Sequence, residues 1–362
     1  MGKEGENGCQ RWLSRPRKVS KLYNNNTKGK FVSAFSHFKN GVIAANGIDI
    51  HYVEHGSGPL VVFCHGWPES WYSWRHQLQA IGDSGFRAVA LHMRGYGGTT
   101  RPKDIEAYNI SHLVGDVVGS VSALGESEAI VVGHDWGGPV AWHSALMRPD
   151  IFRAVAVLSV PFNPPFALPD GVSVNDLMRQ AAAGRQYYRL FFQEPGVAEA
   201  DFEKDVRKSM LGVLYTFSGD IVADNIHSSG WDGHFPIEET MTDQFVIPET
   251  LPKWLSEEDL DFYVKELSAS GFGGGFNWYR NIKRLPGHLA PFIGRTIEQP
   301  ALYLYGEHDM VAGNTTEAVA GMQAALPDLR KCVKYAGAGH WLQQERAEEV
   351  NNELLAFFAT LG

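Results

Sequence analysis

Val131-Val132-Gly133-His134-Asp135-Trp136-Gly137-Gly138 carries an apolar, β-branched run straight into small residues that flank a single acid. The run reads as a buried strand over Ala129–Gly133, followed by a helix over Gly137–Met147. Glycines on both sides of Asp135 let a strained backbone lift its side chain clear of the sheet edge, the arrangement G-x-nucleophile-x-G. The nucleophile position holds Asp, not Ser. A carboxylate attacking an amide would give an anhydride, whereas displacement at a tetrahedral carbon gives an ester. The substrate electrophile is therefore expected to be an sp³ carbon. Taken alone, Asp135 also fits a helix N-cap, a position Asp favours.

Working outward, strand and helix patterns alternate. Gly41–Glu54 breaks like two short strands, and Leu60–Cys64, Arg87–Leu91 and Ala154–Val160 are further strand candidates. Arg75–Gly85 and Ser111–Leu124 have helical spacing, the second with Leu113, Val117, Val121 and Leu124 on one face and Ser111 as its N-cap. Such alternation predicts an α/β fold, a mostly parallel central sheet covered by helices on both faces. Between about Asn163 and Gly287 aromatic and charged residues mix at helical spacing, which reads as an inserted helical cap. Alternation then resumes with a strand at Ala301–Tyr305, a helix near Thr315–Ala325, a strand near Lys331–Tyr335 and a terminal helix over Arg346–Leu361. The expected organisation is a basic arm over 1–32, core over 33–162, cap over 163–287 and core again over 288–362.

Three further features fall at strand ends, where an open α/β sheet places its active site. His65-Gly66-Trp67-Pro68 follows a strand, so the backbone amides of Trp67 and Trp136 are the expected oxyanion hole. Gly306-Glu307-His308-Asp309 follows another and offers Asp309 as the acid of a triad, ahead of Glu307. Gly337-Ala338-Gly339-His340-Trp341 follows the last strand and offers His340. The order nucleophile, acid, histidine is the one an elbow fold uses. His134 and His308 read as surface or packing residues.

These residues carry a family resemblance. The chain resembles the soluble epoxide hydrolases of the α/β-hydrolase fold, including the hydrolase domain of the mammalian enzyme and bacterial relatives. The matching text is His65-Gly66-Trp67-Pro68-Glu69-Ser70-Trp71-Tyr72-Ser73-Trp74-Arg75, Arg94-Gly95-Tyr96-Gly97, Gly133–Gly138, Phe192-Gln193-Glu194-Pro195-Gly196 and Asn277-Trp278-Tyr279-Arg280-Asn281. It covers the chain from about residue 35 onward and departs where His92 stands for the frequent Asp. The resemblance implies a pair of cap tyrosines at Tyr188 and Tyr279, with Tyr187 beside the first. It further implies hydrolysis of epoxides to vicinal diols without metal or organic cofactor. Position alone places Trp136, Phe162, Met310 and Trp341 around an apolar pocket suited to aromatic or lipid epoxides. Two alternatives share the fold: a haloalkane dehalogenase using the same Asp, and a small-ligand receptor with an inert cap.

Composition agrees with a small-molecule enzyme. A formal charge of −9 disfavours nucleic acid as partner, since phosphate neutralisation needs a basic face. Residues 1–30 carry +6, leaving −15 on the rest, so the arm is electrostatically separate, as a tail or a basic targeting leader. No apolar stretch approaches the roughly 20 residues a bilayer span needs. Cys9, Cys64 and Cys332 have no metal-ligand spacing, and buried reduced thiols suit a cytoplasmic protein. A monomer or homodimer is expected.

Overall fold

The computed structural model describes residues 35, 37–224, 226, 231–312 and 315–362. The expected N-terminal arm and Cys9 lie outside them. The chain opens with an antiparallel hairpin, Lys39–Ala45 (β1) and Ile48–Gly56 (β2), and continues through Leu60–Cys64 (β3), Arg87–Leu91 (β4), Ala129–His134 (β5) and Phe152–Leu158 (β6). Every residue of β3 and β5 is buried, as uninterrupted apolar runs require of strands covered on both faces. Each fully buried Val or Leu there contributes roughly 1.5–3 kcal/mol, enough for this block to fix the register of the sheet.

After β6 the chain leaves the sheet and returns to it only at Ala301–Gly306, following a segment that includes a pair of two-residue strands, Gln186–Tyr187 (β7) and His234–Phe235 (β8). That pairing is a departure from the all-helical cap expected; two residues are too few to show a strand period. With Ala301–Gly306 as β9 and Leu329–Tyr335 as β10, the main sheet has the order β1-β2-β4-β3-β5-β6-β9-β10. The pairings β1–β2 and β2–β4 are antiparallel, and all others are parallel. The C-terminal ends of β5, β9 and β10 therefore point the same way, which gathers the loops bearing Asp135, Asp309 and His340.

Two local expectations shift. The helix Ile110–Ala123 is capped by Asn109, whose side chain accepts from the His112 amide at 3.1 Å, and not by Ser111, which lies in the first turn. Asn109 has the extended backbone a cap needs. The terminal helix runs over Ala347–Phe358, within the range expected, and a separate short helix not expected from sequence, Leu342–Glu345, precedes it across Arg346 (φ −130°, ψ 45°).

The inserted segment packs on the sheet edge through aromatic rings. Trp67, from the loop after β3, and Phe192 approach to 5.0 Å between centroids, and Tyr72 stacks on Phe262 at 4.1 Å. Polar ties fix its placement: Arg75 to Asp259 at 3.2 Å, and the Trp278 indole to the Arg94 carbonyl at 3.1 Å. Trp278 directly precedes Tyr279, so this tie sets where the phenol is presented.

Candidate active site

Asp135 sits on the bend between β5 and the helix Gly137–Met147 with φ 49°, a left-handed conformation unfavourable to a side chain. The bend is tight enough that a Cβ on Gly133 would lie 2.0 Å from the Gly137 carbonyl oxygen, and one on Gly137 would lie 2.0 Å from that of Cys64. Only glycine allows these backbones to meet. The strain raises Asp135 toward the β3 loop, where the Trp67 amide donates to its Oδ1 at 2.6 Å. Asp135 thus does not cap its helix through its side chain.

His340 presents Nε2 to Asp135 Oδ2 at 3.6 Å and holds Asp309 Oδ1 through Nδ1 at 2.9 Å. Its own amide donates to the Phe217 carbonyl at 2.9 Å. All three residues are at most 6% exposed, so the charges act in a weakly screened environment. Burial opposes ionisation of Asp135, but the His340 ring, then His134 and the Trp67 amide, outweigh it and hold the carboxyl below the usual range. Burial likewise opposes charge on His340. The Asp309 charge and hydrogen bonds to both acids overcome it and raise the imidazole well above its ordinary value. Asp309, buried but paired with His340, is held low. The three shifts run in the direction that favours charge on each group, two carboxylates flanking an imidazole that holds its proton.

Tyr188 and Tyr279 face the same cavity as Asp135 and Trp136, a space of about 430 Å³. Their rings are 5.9 Å apart between centroids, and Tyr279 meets Trp136 edge-on at 5.2 Å. Tyr187 does not line this cavity; it stacks on His234 at 4.8 Å. Burial, reinforced by the Asp135 charge, keeps the Tyr279 phenol protonated. The Gln193 amide donates to the carbonyls of Arg189 at 2.9 Å and Tyr279 at 3.0 Å, tying together the two segments that bear the phenols.

Phe162 and Trp136 line the cavity, with Phe166, Ile282, Leu285 and Leu289. Two residues expected there do not. Trp341 turns into the core, its indole donating to the Leu214 carbonyl at 2.7 Å, because the chain after His340 starts a helix directed inward. Met310 lies beside Gly233 and the Tyr187–Tyr188 pair, and Val311 takes the wall instead.

Several contributors were not singled out from sequence. Ser159, at φ 76°, places Oγ 3.1 Å from His340 Nδ1. His134 is fully buried, the packing alternative of its reading, and its contacts tie it to the site: its Nδ1 lies 2.8 Å from Glu69 and its Nε2 2.7 Å from the His340 carbonyl. Glu345 accepts from the amides of Gly219 at 3.0 Å, Gly339 at 2.8 Å and Trp341 at 2.9 Å, clamping the histidine loop to the inserted segment. Glu69, inside the quoted loop motif, and the glycines around His340 were the only sequence hints. Among the described residues no group of three or more His, Cys, Asp or Glu is disposed to hold a metal ion, and no helix is long and apolar enough to cross a membrane.

The family model of the alpha/beta hydrolase fold matches residues 59–236. Epoxide hydrolase A of Mycobacterium tuberculosis is 39% identical over 325 residues, covering 88% of this chain and 97% of that protein. The chain belongs to the epoxide hydrolase family. This enzyme is also 37% identical to bifunctional epoxide hydrolase 2 of Mus musculus, over 87% of its own length and 54% of that longer protein. An epoxide hydrolase from an endophytic Streptomyces superposes with a TM-score of 0.85 at 40% identity, covering 90% of the enzyme and 96% of that chain.

Proposed function

We propose that the enzyme opens aromatic or lipid epoxides to vicinal diols in two half-reactions that meet at Asp135. In the first, a carboxylate oxygen of Asp135 attacks an epoxide carbon while Tyr188 and Tyr279 hydrogen-bond the departing oxygen and one of them supplies its proton. A hydroxyalkyl ester results. In the second, His340, oriented by Asp309, takes a proton from water, and the water attacks the Asp135 carbonyl. The amides of Trp67 and Trp136 receive the oxyanion, and the diol leaves with the proton carried by His340.

One observation carries this reading: a strained Asp135 shares an apolar cavity with two phenols on one side and lies 3.6 Å from an imidazole on the other. A phenol O–H protonates an alkoxide, a need that a halide leaving group does not have. Aromatic walls around about 430 Å³ suit an apolar substrate. The free thiols of Cys64 and Cys332 accord with a reducing compartment such as the cytoplasm.

A single turnover in ¹⁸O-water tests the ester. Label is expected in Asp135 and not in the first diol, because water attacks the carbonyl carbon of the enzyme. Label found first in the diol, or halide release from a chloroalkane outpacing epoxide turnover, overturns the proposal.

A further inference from the structure

Arg189 is the cation in the cavity wall beside Tyr188, and among the described residues it has no carboxylate within ion-pair distance. Its Nε donates to the Tyr188 hydroxyl oxygen at 2.9 Å, and its guanidinium carbon lies 5.5 Å from the Tyr188 ring and 5.8 Å from that of Tyr187. Arg189 is half-buried, so part of its guanidinium keeps water, while its Nε is committed to the Tyr188 oxygen at the cavity wall. Resting on the ester mechanism above, we infer that Arg189 is a positioning residue that makes Tyr188 the proton donor of ring opening.

Arginine only donates, so at this contact the Tyr188 oxygen must accept. That occupies one lone pair and leaves the hydroxyl proton to point elsewhere, toward the cavity shared with Tyr279 and Asp135. Among the described residues no cation is hydrogen-bonded to the Tyr279 oxygen, whereas Arg189 bonds that of Tyr188. The two phenols are thereby unequal: Tyr279 is a hydrogen-bond donor that keeps its proton, and Tyr188 can part with one.

Charge supports the same assignment. Burial raises the Tyr188 phenol, as do the neighbouring Tyr187 and the Asp135 carboxylate, while the Arg189 charge and hydrogen bond oppose the rise. When Asp135 attacks, the C–O bond of the epoxide breaks and its electron pair goes to oxygen. The O–H bond of Tyr188 then breaks and one forms on the product, leaving a phenolate held by Arg189. The attack consumes the Asp135 charge as the phenolate appears, so the cavity keeps one negative charge, moved next to the guanidinium. Ester hydrolysis regenerates the Asp135 carboxyl group, whose ionisation returns the missing proton to Tyr188. Atoms and charge balance without another reactant.

The test measures the two half-reactions separately in Arg189→Met, Arg189→Lys and Tyr188→Phe, with styrene oxide as probe. Single-turnover alkylation is expected to fall about 10- to 100-fold in R189M, the weight of a charge-assisted hydrogen bond, and less in R189K, which retains a point charge. Ester hydrolysis should hold near the wild-type rate. In the Y188F background the R189M change should have little further effect on alkylation, since the two act as one unit. Ultraviolet difference titration should show the Tyr188 phenolate forming at higher pH in R189M. Alkylation within twofold of wild type in a folded R189M, or an undiminished effect in the Y188F background, overturns the inference. If R189M does not fold, R189K decides on the same two readouts. Failure of the ester mechanism itself looks different: the wild type would then form no covalent adduct.

Discussion

Replacing His340 by Gln should split the catalytic cycle in two. The imidazole is held by Asp309 at 2.9 Å, with Ser159 Oγ at 3.1 Å, and the His340 backbone N–H is anchored by donating to the Phe217 carbonyl. It serves the hydrolytic half-reaction, for which a positioned general base contributes about 10²–10⁴-fold, or roughly 3–5 kcal/mol of barrier. Ring opening draws instead on Asp135 and the phenols, and His340 touches it only through charge. Across 3.6 Å, two unit charges attract by about 1 kcal/mol with water-like screening and about 5 kcal/mol at an effective dielectric of about 20. That attraction holds Asp135 ionised but also restrains its attack. H340Q should therefore alkylate within about tenfold of the wild-type rate above neutral pH, with its acid limit moved to higher pH, because a carboxyl held low by His340 now protonates earlier. The ester should accumulate. Quenched-flow sampling with intact-mass detection should show one equivalent of epoxide added to the protein and a steady-state diol rate down by about 10²–10⁴. Diol formation at the wild-type rate with no adduct would refute the division of labour.

Tyr279→Phe should slow ring opening by about 10- to 100-fold while leaving hydrolysis of preformed ester unchanged, read by the same single-turnover assay; removal of both phenols should cost more than either loss alone. The pH dependence of ester hydrolysis should begin at lower pH than the titration of His340 in the free enzyme. Two acids raise the imidazole at rest, and esterification neutralises one of them, so its affinity for a proton falls; histidine NMR against the hydrolysis profile checks this. Burial pushes the Glu345 carboxyl up to about 7. The folded chain then binds this proton more tightly than the unfolded chain, so its contribution to stability is full below the unfolded value and is lost as pH rises toward 7 and above. Glu345→Gln should flatten that slope and, by setting an amide NH₂ against three backbone donors, lower stability by about 1–3 kcal/mol, seen in denaturant titration at several pH values. Gln193→Ala should weaken ring opening without affecting hydrolysis, because Gln193 joins the Arg189 and Tyr279 backbones.

What the sequence made legible was set by local causes. An uninterrupted apolar run such as Val61-Val62-Phe63 can only be a strand covered on both faces, and glycines bracketing Asp135 announce a bend that other residues cannot make. Chain order did the rest for Asp309 and His340, whose loops follow parallel strands ending at one edge. What remained hidden depends on which way side chains turn once distant segments meet. Trp341 and Met310 stand next to His340 and Asp309 in sequence, yet neither lines the cavity. Glu345 reads as an ordinary helical acid until Gly219, from the inserted segment, brings its amide to the same carboxylate as Gly339 and Trp341.

Arg189 makes the point most sharply. Its neighbour Tyr188 is visible as half of a tyrosine pair, but adjacency along a chain does not determine that the guanidinium folds back onto the hydroxyl. That contact distinguishes two phenols that sequence treats as alike. It also gives the cavity a mobile charge balance: negative at Asp135 before attack, negative at Tyr188 beside Arg189 after it. The loss of charge at Asp135 in turn loosens the hold on the His340 proton. On this reading, formation of the ester lets the imidazolium release its proton to solvent and so become the base that the next step requires, and His340 takes a proton back from solvent once the Asp135 carboxylate is restored.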